Sequence, residues 1–247
     1  MPWIQTARPS LFGGYALISG SVGGGSLPDG FYETFFPGPN ESPISEGGVW
    51  INGAATGIQW SNCGITNNRM HTLMTAPGTE FRDATAVVTG IWSPNQEIIT
   101  TVSFDFPEGE AGDPHNIEII HHIRSTVAPN FNAGYTVGYR CGTDSGSYKS
   151  IGWWNGPFLD FGGPPVESGD PDFGIDPGDV IRTTCFDDGA DTVVTGYKND
   201  VQTLQLVETR RFTTGSPGMG FFHHPEIEGD EDKYLEFGIT HFLAQNL

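Results

Sequence analysis

Positive charge is what this chain has least of. Lys and Arg together number 11 against 30 Asp and Glu, a formal net charge of −19. A surface without basic patches cannot displace counterions from a phosphate backbone, so nucleic acid is excluded as a partner. The same shortage excludes docking on an anionic membrane. Cysteine is scarce as well: Cys63, Cys141 and Cys185 are odd in number and far apart, with no Cys-x-x-Cys or His/Cys spacing. Neither a disulfide framework nor a zinc site is expected from them, and three buried free thiols are. No apolar run approaches the ~20 residues that a membrane span needs. The opening segment, MPWIQTARPSLFGGYALISGSVGGGS, has no basic n-region and no continuous apolar core. It is therefore not expected to be a secretory signal, and the product is expected to be made in the cytoplasm, leaving by lysis or by assembly into a particle. Amphipathic helical periodicity is missing too.

What is present is turn chemistry and β-alternation. The chain holds 35 Gly and 18 Pro, with 12% aromatic but only 36% hydrophobic residues. That is the make-up of many short strands around a core of large rings. At 247 residues it has the length of one large sandwich. Residues 1–28 read as an N-terminal arm and 29–247 as a single domain. In 96–106, Gln96, Ile98, Thr100, Val102, Phe104 and Phe106 share a face, opposite Glu97, Thr101, Ser103 and Asp105. In 115–124, Ile117, Ile119 and Ile123 oppose Glu118, His122 and Arg124. In 133–141, Ala133, Tyr135, Val137, Tyr139 and Cys141 fall together. Runs at 179–187, 191–197 and 201–208 are joined by Asp188-Gly189 and Asn199-Asp200, dipeptides that tolerate the positive φ of tight hairpins. The chain closes on 234–243, where Leu235, Phe237, Ile239 and Leu243 are expected on one face. About a dozen strands without a helix predict two packed antiparallel sheets.

An ordered series of segments then carries a family resemblance: ESPISEGGVWING (41–53), IWSPNQ (91–96), IEIIHHIRST (117–126), GYTVGYR (134–140), WWNGP (153–157), GDVIRTT (178–184), YKNDV (197–201), FTTGSPGMGFF (212–222) and FGITHF (237–242). Over roughly residues 31–243 the chain resembles the concanavalin A-like lectin/glucanase superfamily, in the LamG-like jelly-roll form of bacterial and phage proteins. The resemblance implies an all-β, two-sheet antiparallel β-sandwich (jelly roll), a concave sheet, and often a Ca²⁺ site. It fixes no activity, because this fold hosts lectins, hydrolases, lyases and inert modules.

Three chemistries compete for the residues. Glycoside hydrolysis needs two carboxyl groups flanking one bond. The strand that would supply them offers Glu118 alone, its same-face partners being Ile120, His122 and Arg124; Asp105 of the neighbouring run is the other carboxylate in prospect. Polysaccharide lyase chemistry needs a neutraliser for a uronate and a base for its C5 proton, for which Glu118, His122, Arg124 and Arg140 are the candidates, with Tyr139 on the opposite face. Non-catalytic sugar binding needs ring faces and fixed polar groups. Its candidates are Trp92, Glu118, His122, Arg124, Arg140, Tyr148, Trp153 and Trp154, with one of the adjacent tryptophans in the core and His121 on the apolar side. For Ca²⁺, the acidic run at 226–232 and Asp29 before the first strand point to Asp29, Asp230 and Asp232, without EF-hand spacing. The clusters at 167–179 and 187–191 read as solvated acidic loops. The expected role is that of a structural or adhesive module of a virion (decoration, fibre or tail protein) with lectin-like contacts to a glycan or cell-surface polysaccharide. Other subunits, or further copies in a homo-oligomer, would be met through residues 1–28. The alternative is a lyase or hydrolase working through the concave sheet.

Overall fold

The computed structural model describes residues 27–57, 60–73, 83–104, 117–140, 148–156, 161–169, 174–223 and 237–247. The expected arm therefore lies almost wholly outside the described residues, as do Asp105, Cys141, Asp230 and Asp232. The described strands are β1 (Phe31–Thr34), β2 (Trp50–Asn52), β3 (Cys63–Thr66), β4 (Arg69–Thr72), β5 (Asp83–Val88), β6 (Gln96–Ser103), β7 (Ile117–Ala128) and β8 (Phe131–Arg140). They continue with β9 (Tyr148–Gly156), β10 (Phe161–Gly169), β11 (Val180–Asp188), β12 (Asp191–Lys198), β13 (Val201–Thr209), β14 (Ser216–His223) and β15 (Gly238–Asn246). One single turn of 3-10 helix, Gly53–Thr56, accompanies them. One sheet runs β13-β12-β11-β6-β15-β4-β3 with β1 added on β15, and the other runs β10-β9-β8-β7-β14-β5-β2. All the strand pairings are antiparallel, so the two-sheet sandwich expected from alternation is the architecture seen.

Period-two patterning decides which side chains fill the space between the sheets. From β6, Gln96, Ile98, Thr100 and Val102 are buried; from β8, Tyr135, Val137 and Tyr139 are wholly so. Ile119, Ile123, Phe221, Ile239 and Phe242 complete the middle of the core. His121 joins them, as its place in the alternation predicts. Its ring nitrogens hydrogen-bond Thr100 Oγ1 of β6 and Thr183 Oγ1 of β11, both at 2.9 Å, so the ring bridges the two sheets. Cys63 and Cys185 are buried free thiols, and burial pushes the Cys185 thiol up to about 12. The β12–β13 turn has Asn199 at φ 50° and Asp200 at φ 64°, the doubly left-handed turn that its sequence predicts.

Two departures from simple alternation come from bulges. In β15 the pairing with β6 slips between Ile239 and His241. Phe242 and Ala244 then take the buried positions and Leu243, expected inside, is left half-buried on the outer side. In β7 the pairing with β8 slips between Ile123 and Thr126. Arg124 sits in that bulge at φ 52°, a left-handed conformation that costs a non-glycine residue about 1 kcal/mol or more.

What holds Arg124 there is a full set of acceptors. Its Nε donates to Pro94 O (2.6 Å), Nη1 to Phe212 O (2.7 Å) and Thr192 Oγ1 (3.1 Å), and Nη2 to Asp187 Oδ1 (2.8 Å). Its backbone N–H donates to Gln96 Oε1 at 3.1 Å. Gly215, at φ 132°, lies so close that a Cβ there would stand 2.2 Å from the Arg124 carbonyl carbon. Removing one partner of a buried, fully bonded ion pair typically costs about 3–5 kcal/mol. Arg124→Met is accordingly expected to lower the stability by about 3 kcal/mol or more in urea denaturation. Arg124→Lys is expected not to restore it, since one ammonium cannot serve four acceptors arrayed around a planar fork.

Candidate functional site

β7 is central in its sheet, and its alternation places Glu118, Ile120 and His122 on the face turned away from the other sheet. Hydrogen-bond register extends this row sideways: Glu118 is opposite Arg140 of β8 and Phe222 of β14, and Phe222 is opposite Asp83 of β5. The next row is Ile120, Gly138 and Ser150, and the next His122, Thr136 and Gly152. The outer face of the seven-stranded sheet thus carries two kinds of surface.

At one end Glu118 is fixed from two directions. Tyr148 Oη donates to its carboxylate Oε1. Its Oε2 lies over Gly138, where a Cβ would come within 3.6 Å of that oxygen and 3.2 Å of Ser150 Oγ. A bare backbone position therefore makes room for a carboxylate and a hydroxyl side by side. The Arg140 guanidinium is 5.8 Å from the centre of the Tyr148 ring, so a cation, a phenol and a carboxylate form one connected group. Arg140, Tyr148 and Ser150 are half-buried, and Glu118 is buried.

At the other end the surface is aromatic and uncharged. His122 Nε2 shares a hydrogen bond with Thr85 Oγ1 at 3.2 Å. The Trp60 ring is 6.0 Å from the His122 ring and meets Trp154 edge to face at 5.1 Å and 74°. Gly220 is required beneath them, because a Cβ there would stand 2.6 Å from His122 Nε2.

Burial sets the protonation of this face. It pushes the Asp83 carboxyl up to about 8, with repulsion from Glu118 adding to the shift. It holds the His122 imidazole down at about 3, and the His121 imidazole likewise, the latter with His122 as a second cause. Asp83 therefore carries a proton at neutral pH while both histidines are uncharged.

Of the residues that the sequence singled out, Glu118, His122, Arg140, Tyr148 and Trp154 share this face. Arg124 does not. The bulge breaks the alternation after Ile123, and the side chain enters the end of the core, 0% exposed, with its donors spent on backbone and side-chain acceptors. Trp153 also points inward, as its adjacency to Trp154 requires of one of the two, and the Arg211 guanidinium covers its ring at 4.2 Å. Trp92 packs against the core and donates from Nε1 to Thr89 O at 3.3 Å, away from the outer face. Asp29 is exposed and sits in a short bridge to Ile91. Among the described residues no group of three or more His, Cys, Asp or Glu could hold a metal ion; Asp230 and Asp232 of the expected Ca²⁺ site lie outside them. Asp179 and Asp187 of the acidic loops are engaged internally, with Lys198 at 2.9 Å and with Arg124 and Arg210 at 2.8 and 3.0 Å.

Sequence reasoning missed Asp83, Thr85, Ser150 and Trp60. Asp83 and Thr85 head a short apolar strand, and a polar–apolar alternation over DATAV was the signal available. Trp60 gave none, since it lies outside any strand.

No family model matches the chain, and no curated protein matches it in sequence. Among solved structures it is similar to the carbohydrate recognition domain of Emp46p in a metal-free form, with 10% identity over 80% of this chain and 88% of that one, at a TM-score of 0.49. It is similar to a legume lectin-like domain from Entamoeba histolytica, with 9% identity over 84% and 95% of the two chains and a TM-score of 0.49. It is also similar to a β-glucanase of Bacillus licheniformis, with 11% identity over 88% and 95% and a TM-score of 0.47.

The buried titrating groups predict a stability optimum. Asp83 keeps its proton in the folded chain up to about pH 8, whereas the unfolded chain loses it near 3.8, so this group destabilises progressively as pH rises through that window. His121 and His122 refuse protons down to about pH 3 that the unfolded chain takes up near 6.5, so they destabilise as pH falls below 6.5. His71 shifts in the same direction. Stability is expected to peak near pH 6.5 and to decline on both sides, with slopes of about 1.4 kcal/mol per pH unit for each net proton. Urea midpoints measured from pH 5 to 8 should show this, and Asp83→Asn should remove the decline above pH 6.5 and steepen the loss below it.

Proposed function

We propose that this chain is a carbohydrate-binding jelly-roll domain that holds a glycan on the outer face of its seven-stranded sheet. Its setting is adhesion at the surface of a particle such as a virion, working outside the cell. The observation that carries the reading is the Glu118 group. A carboxylate fixed by Tyr148, a neighbouring Ser150 hydroxyl, and the Arg140 guanidinium stacked on the same tyrosine provide acceptors and donors at set positions on a rigid sheet. Adjacent sugar hydroxyls need that pairing. Glycan-array and calorimetric binding are expected to identify at least one oligosaccharide ligand. Glu118→Gln and Tyr148→Phe should each weaken it by about 10- to 100-fold, equivalent to ~1.4–2.7 kcal/mol. Unchanged affinity in both variants overturns the reading.

A second reading has one observation in its favour. The second carboxyl group missing from Glu118's own strand is supplied by Asp83, two strands away across Phe222 and close enough for Glu118 to raise its pKa. A protonated Asp83 as general acid and Glu118 as base or nucleophile is the division of labour of glycoside hydrolysis. Lyase chemistry is less well served. It loses Arg124 to the core, and it leaves His122 a weak base held by Thr85. Release of reducing ends from the bound glycan, abolished in Asp83→Asn with binding retained, would establish cleavage. A ligand recovered intact after prolonged incubation establishes binding alone.

A further inference from the structure

We infer that Trp60, His122 and Asn132 form a subsite for one uncharged sugar ring at the end of the outer face opposite Arg140; the inference rests on the glycan-binding reading. Four buried side-chain polar atoms without a hydrogen-bond partner belong to these three residues: Trp60 Nε1, His122 Nδ1, and both Asn132 Nδ2 and Oδ1. Trp60 is 3% exposed, and His122 and Asn132 1% each. Leaving such an atom unbonded costs roughly 1–3 kcal/mol, so a concentration of them on one face marks groups with a partner still to come.

Trp60 and His122 meet ring to ring, and Asn132 stands further along the same outer face on β8. Ser61 pairs alongside β5, its N–H donating to Asp83 O at 2.8 Å and its carbonyl accepting from the Thr85 N–H at 3.1 Å. At the far end of the same segment Thr56 O accepts from the Asn130 N–H in the β7–β8 turn. Next to the Ser61 pairing, the Trp60 ring lies against His122 and Trp154. Asn132 lies on the same face of β8, two residues before Gly134, the β9-paired partner of Trp154.

The chemistry selects the ligand. An indole N–H donates, an amide both donates and accepts, and an imidazole nitrogen does one or the other according to its tautomer. Vicinal hydroxyls, each at once donor and acceptor, satisfy that mixture. Burial keeps His122 uncharged, so nothing in the trio would balance a carboxylate or an ammonium on the ligand. Entry requires the Trp60 ring, held by ring contacts, to swing off His122.

The test uses the full chain with two probe series, neutral gluco-, manno- and galacto-oligosaccharides and oligouronates. It follows the His122 ring nitrogens by ¹⁵N NMR and affinity by calorimetry. A neutral oligosaccharide is expected to shift the Nδ1 resonance at saturation. Trp60→Phe, which keeps a ring but loses the N–H, and Asn132→Ala should each weaken it at least fivefold. If a neutral ligand binds with sensitivity to Glu118→Gln but is indifferent to both variants and leaves Nδ1 unmoved, the subsite is overturned while the glycan reading stands. Binding of oligouronates only overturns it as well. If neither series binds, both fall together. Should a variant fail to fold, as judged by circular dichroism, the Nδ1 resonance of the unaltered chain decides.

Discussion

The structure turns on one buried guanidinium. Arg124 ties the segment before β6 (Pro94), the end of β11 (Asp187), the start of β12 (Thr192) and the loop before β14 (Phe212) to the middle of β7. It thereby pins one end of the sandwich across both sheets. The bulge that lets it reach inward also marks where the outer-face alternation of β7 stops. The β7 residues assigned to the outer face lie on the Glu118-to-His122 side of that bulge. An arginine left in register would have pointed outward and left two carbonyls without their donor and Asp187 with Arg210 and Thr192 alone. The strained φ of Arg124 is therefore offset by the acceptors it satisfies.

How far the fold was legible follows from which interactions are local. The buried face of β6, the inward set Tyr135, Val137 and Tyr139, and the Asn199-Asp200 turn depend on side-chain period and on residues that accept positive φ, all readable within a few positions. The direction of Arg124 depends on Gly215 packing against its backbone, a contact with no trace in the neighbourhood of either residue. The bulge in β15 is of the same kind, and it exchanges Leu243 for Phe242 in the core. Within the candidate site the β7–β8–β9 hairpins were legible because they are sequential, so Glu118, Arg140, Tyr148 and Trp154 could be placed together. Asp83 and Trp60 enter through β5, which joins β7 only by way of the late strand β14. No period or spacing announces such a pairing.

The two ends of the outer face differ in electrostatic character for reasons rooted in what lies beneath each. Around Glu118 the floor is Gly138 and the walls are Tyr148 and Ser150, so a carboxylate can be held with its oxygens bonded while Arg140 stays half-buried nearby. Around His122 the floor is Gly220 and the wall is indole, so imidazole is desolvated without a counter-charge and is neutral. In a chain with a formal charge of −19, a site that retains a cation beside its carboxylate is set apart from the general acidic surface. The overall charge serves solubility and repels polyanions at distance. The local Arg140 fixes geometry at contact.

This arrangement also bears on how such a face would bind at all. A sugar in water is already well hydrated, so a site gains only by offering hydrogen bonds whose ordering costs were met at folding. Glu118 meets that requirement because Tyr148 holds its carboxylate, and because its strand is flanked on both sides by paired neighbours. His122 meets it through Thr85 and Gly220. Trp60 is the exception, standing next to the Ser61 pairing with β5 and not on a strand of the sheet. A rigid floor with one movable aromatic wall lets hydroxyl recognition be fixed in advance while access is governed by a single ring. Loss of the floor would abolish binding, whereas changes to the wall would act on entry and exit as well as on the hydrogen bond that the indole N–H donates. The kinetics of association should accordingly be sensitive to the bulk of Trp60, and affinity to both Trp60 and Glu118.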